Sequence, residues 1–248
     1  EIRKIILSTQ QVSLFAGGLI GSSNGIGTNV LIYNPNGVSL SSDNSYALIA
    51  DTFNHQIRKL ILSTQEVSLI AGSSSASSGS SNGIGSNSLF YNPRGIDLSP
   101  DNSYCLIADT SNNQVRKITM STLQVSLFAG SPSLTYGTTN GIGSNSLFNN
   151  PYDVDISSDS SYCLVSDFWN HQIRKIIITT QEVTLLAGSS SSTSGSSNGI
   201  GSNAQFKNPR GISISSDNSY ALIADGSNNQ IRKITISTQE VSLLAGQT

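Results

Sequence analysis

The chain has 248 residues and a formal charge of −2, and only 13 of its residues are lysine or arginine. So few cations cannot form the basic stripe with which a nucleic-acid binder collects phosphates, and nucleic acid is not expected as a partner. No run of 18 or more apolar residues occurs, so no membrane-spanning helix is expected; serine makes up about a fifth of the chain, and hydrophobic residues only 36%.

Taken in order, residues 1–17 read as half a repeat, with strands over 2–7 and 12–16 joined by Ser8-Thr9-Gln10. Four full units follow, over 18–72, 73–130, 131–188 and 189–246. Their period is set by Asn54-His55-Gln56-Ile57-Arg58-Lys59, which returns around Arg116, Arg174 and Arg232, each 58 residues after the last. Ile2-Arg3-Lys4 is a truncated copy. A period this regular means stacked supersecondary units, so the repeat must be understood before any motif within it.

The second unit shows the grammar. A Ser-rich tract, 73–81, leads to Asn82-Gly83-Ile84-Gly85, read as a turn because both Asn and Gly tolerate positive φ. Asn92-Pro93-Arg94-Gly95 then opens a strand over 96–99. Pro100-Asp101-Asn102-Ser103 turns into a second strand over 104–108, and Asp109-Thr110-Ser111-Asn112 into a third over 114–120. Ser121-Thr122 leads to a fourth over 125–129. Four short antiparallel strands with no sustained helical period make the blade of a β-propeller. A β-solenoid would not need three hairpin turns in every coil. Cys105 and Cys163 stand where other units carry Ala47 and Ala221, so they are expected as buried thiols too far apart to form a disulfide.

The pattern Asn-Pro-x-Gly-Ile, Tyr-x-Leu-Ile-Ala-Asp and Asn-His-x-Ile-Arg-Lys resembles the NHL repeat, most closely at Asn54, His55 and Leu60. The resemblance covers essentially the whole chain and implies an all-β propeller of four-stranded antiparallel blades. Units two and four depart from it, with Asn113 and Asn229 in place of the histidine. Eighteen strands make four blades and a half, so the ring is expected to be incomplete, or completed by further sequence or by a neighbouring segment of a larger assembly.

Within this frame most recurring polar residues read as structural. Asp51, Asp109, Asp167 and Asp225 are expected to cap turns as Asx residues and to bond the strand-three arginine. Arg58, Arg116, Arg174 and Arg232 are expected to be held between blades by carboxylates or carbonyls. Asp43, Asp101, Asp159 and Asp217 are turn chemistry. No catalytic residue, cofactor or metal site is expected; His55 and His171, the two histidines, lie 116 residues apart in different sectors. The informative positions are those where the repeats disagree. Phe53 and Trp169 precede the histidines of units one and three, where units two and four carry Ser111 and Ser227. The residue after the strand-one proline is Asn36, Arg94, Tyr152 or Arg210. Asp97 and Asp155 lie in strand one, and Asp153 replaces a glycine there. In a propeller all these positions gather on one loop face near the channel mouth, where function concentrates on a rigid scaffold.

The expected function is therefore a non-catalytic interaction or structural module, extracellular or at the cell surface, that presents this face to protein or glycan. The candidate contact residues are Phe53, His55, Arg94, Asp97, Tyr152, Asp153, Asp155, Trp169, His171 and Arg210. Self-assembly into a larger repetitive structure or fibre is a variant of it. The Ser-rich tracts 73–81 and 189–197 suit O-glycosylation, whereas no Asn-x-Ser/Thr sequon is read. The alternative is a propeller hydrolase or lyase with a metal ion in the central channel.

Overall fold

The computed structural model describes residues 1–247. It opens with a two-stranded antiparallel sheet of β1 (Ile2–Ile6) and β2 (Gln11–Ala16). Four five-stranded antiparallel sheets follow, one per repeat. The first holds β3 (Gly25–Ile26), β4 (Pro35–Leu40), β5 (Tyr46–Asp51), β6 (Gln56–Ile61) and β7 (Glu66–Ala71). The second holds β8 (Gly83–Ile84), β9 (Pro93–Leu98), β10 (Tyr104–Asp109), β11 (Gln114–Thr119) and β12 (Gln124–Ala129). The third holds β13 (Gly141–Ile142), β14 (Pro151–Ile156), β15 (Tyr162–Asp167), β16 (Gln172–Ile177) and β17 (Glu182–Ala187). The fourth holds β18 (Gly199–Ile200), β19 (Pro209–Ile214), β20 (Tyr220–Asp225), β21 (Gln230–Thr235) and β22 (Glu240–Ala245). These are the blades of a β-propeller, with β4, β9, β14 and β19 innermost, lining a channel through Gly37, Asp97, Asp155 and Ile212.

Each blade gains a strand that the sequence reading took for a turn. Asn-Gly-Ile-Gly places two residues antiparallel to the outermost strand, Gly83 opposite Val125 and Ile84 opposite Gln124. It then enters a 3₁₀ turn at Gly85, which has φ +55°. The addition covers part of an edge that would otherwise expose unpaired main chain. The first strand also begins earlier than its apolar run: Pro93 already pairs with Asp109 across the blade.

Successive blades stack through apolar faces, which covers both faces of blades two and three. Leu48, Ala50, Ile57 and Ile70 leave blade one to meet Phe90, Ile96, Cys105 and Ile118 of blade two. The same positions repeat between blades two and three and between three and four. Phe15 and Ala16 of the two-stranded sheet meet Ala47, Ile49 and Leu60 of blade one. Cys105 and Cys163 are free and buried within these interfaces, and burial pushes both thiols well above their ordinary range.

The buried arginines hold each unit together rather than joining blades. Arg116, fully buried, donates through Nη1 to Asp109 Oδ2 at 3.1 Å and through Nη2 to Asn82 Oδ1 at 2.7 Å. It also donates to the carbonyls of Ser81 and Leu89. These partners belong to Arg116's own unit, so the guanidinium pins the long loop to strand three; Arg58, Arg174 and Arg232 do the same. A buried charge is tolerated when a carboxylate and several oxygens surround it in this way. The aspartate does not cap its own turn. Asp109 Oδ1 instead accepts the Tyr91 N–H, eighteen residues upstream, at 2.8 Å.

Candidate functional site

The start of the innermost strand and the end of the second strand lie at the same end of every blade, because they pair there, Pro151 with Asp167 in blade three. The residue after the proline and the 3₁₀ turn after the aspartate therefore share one face, at the channel mouth. Three successive blades build a cluster on it. Tyr152 of β14 stacks on Phe168, with centroids 5.5 Å apart and planes at 27°. Trp169 meets Phe168 edge-on at 4.9 Å and is itself 53% exposed. Arg94 of β9 lies over Tyr152 at 4.6 Å, and Arg210 of β19 lies 5.7 Å from Tyr152 and 5.8 Å from Phe168. Guanidinium planes are attracted to aromatic faces in this way.

The other candidates divide. Phe53 stands apart on blade one, edge-on to Tyr33 at 5.1 Å. His55 and His171 are half-buried and occupied with neighbouring blades. Their Nδ1 atoms accept the Asn92 and Asn208 N–H groups, each at 3.1 Å. Asn113 does the same through Oδ1, accepting the Asn150 N–H at 2.9 Å. All three residues have φ of 56–57°, the left-handed region that Asn and His enter more readily than most. The alternation of His and Asn is thus an exchange between two residues that share a backbone preference and an acceptor. Burial lowers both histidine pKa values below the usual range, in keeping with a neutral ring whose Nδ1 accepts.

Below the mouth, the carboxyls of the inner strands join one blade to the next. Asp97 Oδ2 accepts the Ile156 N–H at 2.9 Å, and Asp155 Oδ2 accepts the Ile214 N–H at 2.6 Å. Asp153 Oδ2 accepts the Ile212 N–H at 3.1 Å, while Ser39 donates to Asp97 Oδ1 at 2.8 Å. Asp155 and Asp97 are close enough for each carboxyl to act on the other's protonation. Burial raises all three carboxyls; Asp153 and Asp155 reach about 7, the Asp97 charge adding to the effect. These residues do not fit an ion in the channel. One oxygen of each carboxyl is committed to a main-chain donor of the next blade, and among the described residues no group of three or more His, Cys, Asp or Glu is disposed to hold a metal.

Fold and site together define a β-propeller with an arginine–aromatic cluster at one channel mouth. No family model matches the chain. It is similar to Protein SUPPRESSOR OF QUENCHING 1, chloroplastic, of Arabidopsis thaliana, with 30% identity over 97% of this chain and 23% of that protein. It is also similar to NHL repeat-containing protein 2 of Bos taurus (27% identity, 98% of this chain, 37% of that protein) and of Homo sapiens (26%, 98% and 37%). The chain thus spans only about a quarter to somewhat over a third of these relatives. A solved auxiliary nutrient binding protein from Bacteroides ovatus superposes with a TM-score of 0.66 at 13% identity, covering 98% of this chain and 58% of that one, a likeness of fold alone. The chain is an NHL-repeat β-propeller.

Proposed function

We propose that this propeller is a non-catalytic binding module, extracellular or at the cell surface, that presents its channel mouth to a protein or a glycan. The observation that carries the reading is the cluster of Arg94, Tyr152, Phe168, Trp169 and Arg210, drawn from three blades and partly open to solvent. Aromatic and arginine side chains concentrate binding energy when a rigid scaffold holds them. The low charge and the Ser-rich loops suit the extracellular setting. The test is an array of glycans and peptides probed with the wild-type protein and with Trp169→Ala and Tyr152→Ala. Both substitutions are expected to weaken the retained ligand at least about tenfold, as for loss of an interface hot spot. A ligand bound equally well by all three proteins would place the binding elsewhere.

A second reading, self-assembly, is favoured by the apolar face of blade four and by the apolar groove between the two-stranded sheet and blade one. Ile231 and Leu244 of blade four are 38% and 56% exposed, whereas their counterparts in the other blades are 7% or less. On blade one, Val38 and Leu40 are 58% and 54% exposed against at most 8% for Ile96, Leu98, Val154, Ile156 and Ile212. Faces of this kind mark contact surfaces. Sedimentation velocity should show association that rises with concentration and weakens in Ile231→Lys and Leu244→Lys. A monomer at every concentration would end this reading.

A further inference from the structure

Of the seven arginines in the chain, five have carboxylate partners. The two that remain, Arg94 and Arg210, hold the same repeat position in blades two and four, on either side of Tyr152 of blade three. Among the described residues no carboxylate lies within ion-pair distance of either guanidinium, and Arg94 Nε is shielded from solvent without an acceptor. The nearby channel acids do not supply the missing partner: Asp97, Asp153 and Asp155 are turned onto main-chain N–H groups of the next blade. Two planar forks of N–H donors thus flank one phenol ring with no counter-charge. Beside them Phe168 and the exposed Trp169 form an apolar platform.

The geometry points to a carboxylate-bearing saccharide, a uronic-acid-containing oligosaccharide, as the ligand of this face, an inference that rests on reading the channel mouth as the binding face. A carboxylate matches a guanidinium with two parallel hydrogen bonds. The C–H face of a pyranose ring packs on an exposed indole through apolar contact. A peptide pairing as an added strand would need free main-chain donors on the inner strands. The N–H groups of Ile156, Ile212 and Ile214 are already engaged there. A single-stranded nucleic acid would stack on the same rings, but it brings one phosphate per nucleotide to a chain of charge −2 whose channel is lined by three carboxyls.

Trp169 is the only tryptophan, so its fluorescence reports on this platform alone. The full chain is titrated with oligogalacturonate, with its methyl ester, with a sulfated oligosaccharide, with polyglutamate and with an oligoribonucleotide. Oligogalacturonate is expected to shift Trp169 emission saturably, with affinity falling as salt rises. Esterification, Arg94→Gln or Arg210→Gln should each weaken it at least about tenfold, the scale of a lost charge-assisted bidentate contact. Among the described residues neither arginine side chain donates a hydrogen bond, and each gives up only a contact with aromatic rings, so both variants should keep a thermal midpoint close to that of the wild type. Equal response to acid and ester, or tighter binding of the sulfated sugar, polyglutamate or RNA, overturns the assignment. If a neutral sugar or a peptide binds with sensitivity to Trp169→Ala but not to either arginine substitution, the binding face stands and the uronate assignment falls. If no ligand shifts Trp169 while one is retained elsewhere on the protein, both fall.

Discussion

At the scale of single residues, the left-handed position after each 3₁₀ turn shows how one site can look variable and still be constrained. His55, Asn113, His171 and Asn229 all have φ between 55° and 57°. The side chain there must tolerate that backbone, and in His55, Asn113 and His171 it also accepts an N–H from the next blade. His55→Asn meets both demands and is expected to change the unfolding free energy by no more than about 0.5 kcal/mol. His55→Val meets neither. Left-handed strain of about 1–2 kcal/mol and an unsatisfied, partly buried Asn92 N–H of about 1–3 kcal/mol should together lower stability by roughly 2–5 kcal/mol. Urea denaturation of the two variants checks this; equal losses would mean that neither the left-handed backbone nor the inter-blade acceptor sets the requirement.

At the scale of elements, the innermost strands are tied by carboxyls held near neutrality, and this gives the propeller a pH dependence opposite to ordinary acid denaturation. Asp153 and Asp155 have folded pKa values of about 7, above the unfolded carboxyl value of about 3.9. The folded state therefore binds more protons between those values. The stability they contribute is fully present below about pH 4 and is lost as pH rises through about 7. The surface aspartates work the other way. Serine hydroxyls and a main-chain N–H lower Asp43, Asp101, Asp159 and Asp217 to about 2, so their contribution is lost as pH falls from about 4 towards 2. The histidines, lowered by burial, also favour the folded state above about pH 6.5. Asp155→Asn isolates the channel effect. The variant should melt higher than wild type at pH 8 and lose that advantage at pH 5, as read by thermal melts across the range; a parallel shift at both pH values would show that the carboxyl pair does not titrate as a unit.

These strands also show what a sequence can and cannot display. The blade grammar was legible because turn residues and apolar runs recur every 58 positions, and local chemistry makes both. The positions of Arg94, Tyr152, Trp169 and Arg210 on one face followed from the same grammar. What Asp97 and Asp155 bond to was not legible, because their partners lie 59 residues downstream and are set by the angle between blades. The loop partners of Arg116 lie 34 and 35 residues upstream and were hidden for the same reason. The two-residue strands were missed because Asn-Gly-Ile-Gly carries a strong turn signal, and only the edge of β12 makes Gly83 and Ile84 a strand.

At the scale of the whole molecule, the repeats are alike in sequence but unequal in surroundings, since each inner strand is covered by the next except the last. Gly37, Gly95 and Gly211 occupy the same position in β4, β9 and β19. A Cβ added at Gly37 would meet the Arg94 carbonyl oxygen and the backbone of the next inner strand, and one at Gly95 would meet Asp153 and the Val154 nitrogen. At Gly211 it would find only the Ala224 Cβ, at an ordinary 3.7 Å. None of these glycines adopts a positive φ, so any difference between them comes from packing alone. Gly95→Ala should therefore push apart two inner strands and lower the unfolding free energy by about 1–3 kcal/mol, the cost of overpacking a fitted contact. Gly211→Ala should be neutral, or stabilising by about 0.4–1 kcal/mol through the reduced freedom of the unfolded chain. Denaturant unfolding at low and high protein concentration decides the matter. If Gly211→Ala is as damaging as Gly95→Ala, and only at high concentration, then the open side of blade four is covered by another copy of the chain in solution.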